Sequence, residues 1–125
     1  DILVFVTSTP DHLVPPTACI LQSRLGLSKE CMTLHISHGC PGWVHGLSVI
    51  SSLLNNGYKR GLLLVGDTAV KLSSPKDKTT YPLFGDAGTA TAIEQCIGSS
   101  GFKFNFGDKT SIITAEQGSF ESTAI

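Results

Sequence analysis

Three short runs of almost uninterrupted apolar residues, separated by stretches of helical character, restrict this chain to an α/β architecture. The runs are Ile2–Thr7, Met32–Ile36 and Gly61–Gly66. Strands covered on both faces read as continuous apolar stretches, and parallel sheets flanked by helices are where such strands occur. Gly61-Leu62-Leu63-Leu64-Val65-Gly66 in particular is too apolar to face water on either side. Between the first two runs, Pro15-Pro16 opens a helix over about Thr17–Leu25, with Gly26 as its C-terminal cap. After the second run, Val44, Leu47, Val49, Ile50, Leu53 and Leu54 recur at helical spacing. They predict a long helix from about Pro41 to Asn55, stopped by Asn56-Gly57. Gly85-Asp86-Ala87-Gly88 then introduces a strand of small and β-branched residues, Thr89–Glu94. Two further short strands are predicted over Phe102–Phe106 and Ser111–Ala115, joined by Gly107-Asp108.

The length of 125 residues, 41% of them hydrophobic, allows one domain with one modest core. Lys+Arg 9 against Asp+Glu 10 gives no field that would select nucleic acid or an anionic membrane. No apolar run approaches a membrane span, and no basic start with a cleavage site marks a signal peptide. Cysteines at 19, 31, 40 and 96 form no CxxC pair, so neither zinc nor a disulfide framework is expected. Reduced thiols in a cytoplasmic protein fit this usage better. The chain enters an apparent strand directly at Asp1-Ile2 and closes nothing recognisable at Phe120–Ile125, so it reads as a piece of a longer protein. The charged stretch Ser73–Thr80 reads as a solvated loop.

Chemistry concentrates in Ile36-Ser37-His38-Gly39-Cys40-Pro41-Gly42-Trp43. Here one cysteine falls where a strand ends and the long helix begins. Proline suits the first helical position, where a missing N–H costs nothing. The glycines let the backbone turn sharply and a substrate approach closely. Free N–H groups and the positive end of the helix dipole favour a thiolate, the form that attacks carbonyl carbon. The residues alone leave a second reading open, a small buried apolar thiol with no reactivity. His35, His38 and His45 lie near Cys40 in sequence, and strand alternation lets at most one of them face it. Asp11 and His12 belong to a turn. Asp67 and Asp86 follow strands, where ligands gather in α/β sheets, and Asp86 reads foremost as a residue tying down a turn. No Ser-His-Asp set, metal-ligand cluster, GxGxxG or GxxxxGK[ST] is present.

Three motifs in order give these pieces a context: Thr7-Ser8-Thr9-Pro10-Asp11-His12, Cys40-Pro41-Gly42-Trp43 and Phe84-Gly85-Asp86-Ala87-Gly88-Thr89-Ala90. Together they resemble β-ketoacyl-acyl-carrier-protein synthase III, a branch of the thiolase-like superfamily. The likeness implies a fold of two similar halves, each a mixed sheet flanked by helices. On that pattern residues 1–97 form most of the first half, a mixed and mostly parallel sheet truncated at its edge strand, and residues 98–125 open the second half. The remaining first-half strands still form a contiguous sheet, with the Gly88–Glu94 strand antiparallel.

The resemblance further implies fatty acid biosynthesis by decarboxylative Claisen condensation, with no metal or cofactor. Cys40 is the implied acyl acceptor from acyl-CoA or acyl-carrier protein, its N–H forming part of the oxyanion hole. Malonyl-acyl-carrier protein is the implied second substrate, and a homodimer the implied assembly. Phe84 matches a position lining the acyl pocket, and Val14 one that reaches into the partner subunit's pocket. Lys78 stands where bacterial members often place an arginine that stacks on the CoA adenine. A lysine does not stack in that way, which widens the expected donors to carrier-bound ones. Ser37-His38-Gly39 and Pro41 also depart from the small residues usual around the cysteine. The histidine and asparagine that hold the malonyl group have no counterpart in this chain, so condensation is not expected of these residues alone. Alternatives are a related acyltransferase or polyketide starter enzyme, and a non-catalytic thiolase-like interaction module.

Overall fold

A computed structural model describes residues 1–95 and, beyond them, the backbone of three strands within 102–124. Strand β1 spans Ile2–Thr7, helix α1 Thr17–Arg24, β2 Met32–Ser37, α2 Gly42–Asn55, β3 Arg60–Thr68 and β4 Asp86–Gln95. Short 3-10 turns at Ala69–Leu72 and Tyr81–Leu83 interrupt the connection between β3 and β4. Strands β5 (Phe102–Asn105), β6 (Ser111–Glu116) and β7 (Ser119–Ala124) follow.

All of these strands join one sheet in the order β2-β1-β3-β4-β5-β6-β7. β1 pairs in parallel with β2 on one side and β3 on the other. β4 runs antiparallel to β3 over the whole of Arg60–Thr68. β1 to β4 therefore make the mixed, mostly parallel sheet with helices that the sequence predicts. β5 to β7 prolong it with antiparallel pairs. β5 and β6 coincide with the two predicted strands, while Phe106 and the Gly107-Asp108 link lie outside the described residues. β7 has no counterpart among the sequence expectations.

The two crossovers run in opposite directions from β1 and β2, and right-handed connections then put their helices on opposite faces. Side-chain burial follows. Ile2, Val4 and Val6 of β1, Leu63 of β3 and Ile93 of β4 turn to one face and pack against Ile50 and Leu54 of α2. The helix lies unusually close to the sheet. A Cβ at Gly46 would stand 2.5 Å from Leu63 Cδ1 and 3.0 Å from Val6 Cγ2, and one at Gly42 would stand 2.7 Å from Val6 Cγ1.

On the opposite face α1 covers β1 and β2, burying Leu3 and Ala18. α1 ends as predicted near Gly26, whose φ of 63° is the left-handed conformation that glycine adopts freely. The Gly26 N–H reaches Ser23 O at 3.1 Å and the Leu27 N–H reaches Gln22 O at 3.0 Å, the paired closure of a Schellman motif. α1 packs on β1 and β2 and does not extend over β3 and β4. Leu62 and Leu64 are left half-buried, and Ala90 and Ala92 exposed. The expectation that β3 is shielded on both sides holds only for its α2 side. Among the described residues no helix is long and apolar enough to cross a membrane.

Candidate active site

The turn between β2 and α2 is built by its glycines and proline. β2 ends at Ser37, and the first helical residue is Gly42, one position later than the predicted start, with Pro41 at the cap. The Gly42 N–H donates to Gly39 O at 2.8 Å, folding the chain tightly around Cys40, and the His45 N–H donates to Pro41 O at 3.1 Å. Cys40 therefore stands on the outside of a strand-to-helix elbow, two residues ahead of α2. Its side chain is exposed in this chain rather than packed in the core between α2 and the sheet. Cys19 and Cys31 are also free thiols, and Cys96 lies outside the described residues.

Cys40 opens onto a cleft of about 720 Å³. Trp43 from the first turn of α2, Val65 of β3, Leu72 of the following 3-10 turn and Phe84 ahead of β4 form its apolar walls. Ser8, Thr9 and Asp67 form a polar wall at the C-terminal ends of β1 and β3. Trp43 is held by its indole N–H, which donates to Thr91 Oγ1 at 3.2 Å across the helix–sheet interface. Thr91 is itself buried on β4, so the cysteine's helix is anchored to the sheet beside the elbow.

Of the residues singled out from the sequence, Cys40 and Phe84 come together in this cleft, with Phe84 53% exposed. Val14 and Lys78 do not line it. Val14 projects into solvent, 84% exposed, from the loop after β1, and Lys78 lies in the exposed loop ahead of Tyr81–Leu83. None of the neighbouring histidines lines the cleft either. His38 Nδ1 accepts the Gly39 N–H at 3.1 Å, and its ring lies 4.4 Å from that of His45. His35 meets Phe5 edge-on, centroid to centroid 5.5 Å. Among the described residues no hydrogen bond joins Cys40 to a histidine. Asp11 faces Lys71 at 3.4 Å in solvent, and Asp86 Oδ1 accepts the Val70 N–H at 3.0 Å, the turn-tying role expected of it. Among the described residues no three His, Cys, Asp or Glu side chains gather as metal ligands would.

Asp67, which the sequence places after a strand, has partners there that its neighbours in the chain do not indicate. Asp67 Oδ1 accepts four hydrogen bonds from the turn after β1. They come from the Ser8 N–H at 2.7 Å, Thr7 Oγ1 at 2.9 Å, Ser8 Oγ at 3.0 Å and Thr9 Oγ1 at 3.2 Å. Thr9 Oγ1 in turn accepts the Thr68 N–H at 2.8 Å. Burial pushes the Asp67 carboxyl up, but the bonds from Ser8, Thr7 and Thr9 together outweigh it and hold the group below the ordinary carboxylate value. The available signal was a hydroxyl run after one strand and an aspartate after another, and it becomes legible only once β1 and β3 are known to be neighbours.

A mixed α/β sheet with a glycine-flanked cysteine at the head of its closely seated helix is a thiolase-like arrangement. The comparisons narrow this. The family model for 3-oxoacyl-[acyl-carrier-protein] synthase III matches residues 34–110, and the chain belongs to that family. A putative 3-oxoacyl-[acyl-carrier-protein] synthase 3 of Campylobacter jejuni is 40% identical over 95 residues, covering 76% of this chain and 27% of the relative. A β-ketoacyl-[acyl-carrier-protein] synthase III of Rhodopirellula baltica is 40% identical over 94 residues, covering 74% of this chain and 27% of the relative. The crystal structure of a 3-oxoacyl-(acyl-carrier protein) synthase from Burkholderia xenovorans superposes with a TM-score of 0.77 at 41% identity, covering 87% of this chain and 32% of that one. The chain thus spans about 27% of the length of the curated relatives.

Proposed function

We propose that this chain carries the acyl-accepting site of a 3-oxoacyl-[acyl-carrier-protein] synthase III acting in fatty acid biosynthesis. The observation that carries the reading is the exposed thiol of Cys40 on the strand-to-helix elbow, open to a largely apolar cleft, in a chain of this family. In the proposed reaction the Cys40 thiolate attacks the carbonyl carbon of an acyl thioester, and a bond forms from Sγ to that carbon. The negative charge developing on the carbonyl oxygen is met by backbone donors that include the Cys40 N–H. Collapse breaks the bond to the donor's sulfur, which leaves as a thiol with a proton, and the acyl group remains on Cys40.

Phe84 flanks the acyl chain in this scheme. Lys78 serves the CoA or carrier end of the donor, and Val14 serves the partner subunit's pocket in a cytoplasmic homodimer. The acyl group then condenses with malonyl-acyl-carrier protein as CO2 is lost. That step draws on parts of the enzyme outside this chain, with residues 1–97 supplying most of the first half and 98–125 the opening of the second.

The test is peptide mass spectrometry of the full-length protein after exposure to butyryl-CoA. The expected result is one butyryl group on the Cys40 peptide, none on the peptides of Cys19, Cys31 or Cys96, and complete loss in Cys40→Ala. Absence of label on Cys40, or equal label on all cysteines, would overturn the reading.

A further inference from the structure

Cys40 shares its cleft with a carboxylate, an unexpected neighbour for an acyl chain. Asp67, on the polar wall, lines the same cleft as Trp43, Val65, Leu72 and Phe84. Its carboxylate is fixed through one oxygen only: the Ser8 N–H and the Thr7, Ser8 and Thr9 hydroxyls all converge on Oδ1, and among the described residues no hydrogen bond falls on Oδ2. Thr7 is buried, so the clamp is anchored in the sheet and the carboxylate cannot swing aside without breaking four bonds.

An acyl group entering the cleft removes water from this wall. A plain hydrocarbon would leave Oδ2 desolvated with no donor, and a carboxylate oxygen that loses its water without a replacement donor is unfavourable even though Oδ1 stays bonded. An acyl group with a hydroxyl or an amine restores the lost hydrogen bond, and one with a second carboxylate adds repulsion to the desolvation.

We infer that Asp67 determines the acyl specificity of the Cys40 cleft, favouring acyl groups that bear a hydrogen-bond donor and disfavouring those that bear an anion. The inference rests on the proposed acyl transfer to Cys40 and adds the substrate class to it. Asp67 acts through contact with the bound acyl group and takes no part in bond making.

The experiment compares initial rates of Cys40 acylation in the full-length protein with 3-hydroxybutyryl-CoA, butyryl-CoA and succinyl-CoA, read by peptide mass spectrometry. The wild type should prefer the hydroxylated donor over butyryl-CoA by about tenfold to a hundredfold, the range for a hydrogen bond to a charged group, and should use succinyl-CoA least. Asp67→Asn keeps an oxygen for the Ser8 and Thr7 donors but loses the charge. It should compress the hydroxylated-to-plain ratio severalfold and raise the relative rate with succinyl-CoA. A purely structural Asp67 would scale the three rates together and leave the ratios unchanged, which would overturn the inference. So would equal rates with hydroxybutyryl and butyryl donors in the wild type, a comparison that stands even where the variant does not fold. In both of those cases Cys40 is still acylated and the functional reading survives. Failure of every donor to label Cys40 would remove that reading and this inference with it.

Discussion

The two faces of the sheet were built from equally apolar sequence and ended up differently. On the α2 face Val4, Val6, Ile50, Leu54 and Leu63 are all completely buried, and glycines at 42 and 46 let the helix settle against the strands. On the α1 face the cover stops at β1 and β2, and the leucines of β3 remain half in water. The difference shows that a strand's own composition states what it tolerates, while the reach of the helix above it decides how much is buried. It also explains where the candidate site can be rigid. Cys40 is attached to the well-packed face through Gly42, Trp43 and Thr91, so its position is set by the buried contacts of that face.

The largest expected effect tests that asymmetry directly. Ile50→Ala leaves a cavity against Gly61 under the covered face, and should cost about 2–5 kcal/mol in denaturant unfolding. The equivalent truncation on the other face, Leu64→Ala, should cost only about 1 kcal/mol, since less apolar area is removed from water there. Equal losses from the two variants would mean that the faces are equally packed in solution, and would break the comparison.

The smallest effect concerns the polar edge that joins the two faces. Because Asp67 is held below its ordinary value in the fold, its hydrogen bonds contribute stability that is present above the ordinary carboxylate range. That contribution is lost as pH falls from there through the lower folded value. Asp67→Asn should therefore flatten the acid limb of the stability–pH curve and leave the neutral region nearly parallel to the wild type. Asp77 is also held low, by Thr80 and Thr79, in an exposed loop. Asp77→Asn should change the same limb less, since an exposed group is more strongly screened. If it changed the curve more than Asp67→Asn, the turn after β1 would not be the stabilising clamp described above.

Much of the architecture was legible before any coordinates. The apolar runs marked β1, β2 and β3 to within a residue or two, and the helical spacing from Val44 to Leu54 marked α2. Gly26 marked the end of α1, and the small-residue strand Thr89–Glu94 lies within β4, which starts three residues earlier, at Asp86, because the expected turn residues already pair with β3. These features succeed because they depend on interactions within a few residues, or on a periodicity that repeats along one element. The elbow at Cys40 was legible for the same reason, since Gly39, Pro41 and Gly42 encode it locally.

What the sequence could not contain was the meeting of distant residues. Asp67 and Thr7 are separated by 60 positions and share a hydrogen bond only because β3 pairs directly with β1. The histidines near Cys40 in sequence do not line its cleft, and two of them, His38 and His45, pack on one another. Phe84 enters the cysteine's cleft from the far end of the long connection between β3 and β4. The chain by itself determined β1 to β3, both helices and the elbow that presents one thiol, through local backbone preference and apolar periodicity. Only the tertiary structure decided which face of β3 is dry and that a clamped carboxylate lines the same cleft as that thiol, because both follow from strand order and helix placement, which no local pattern records.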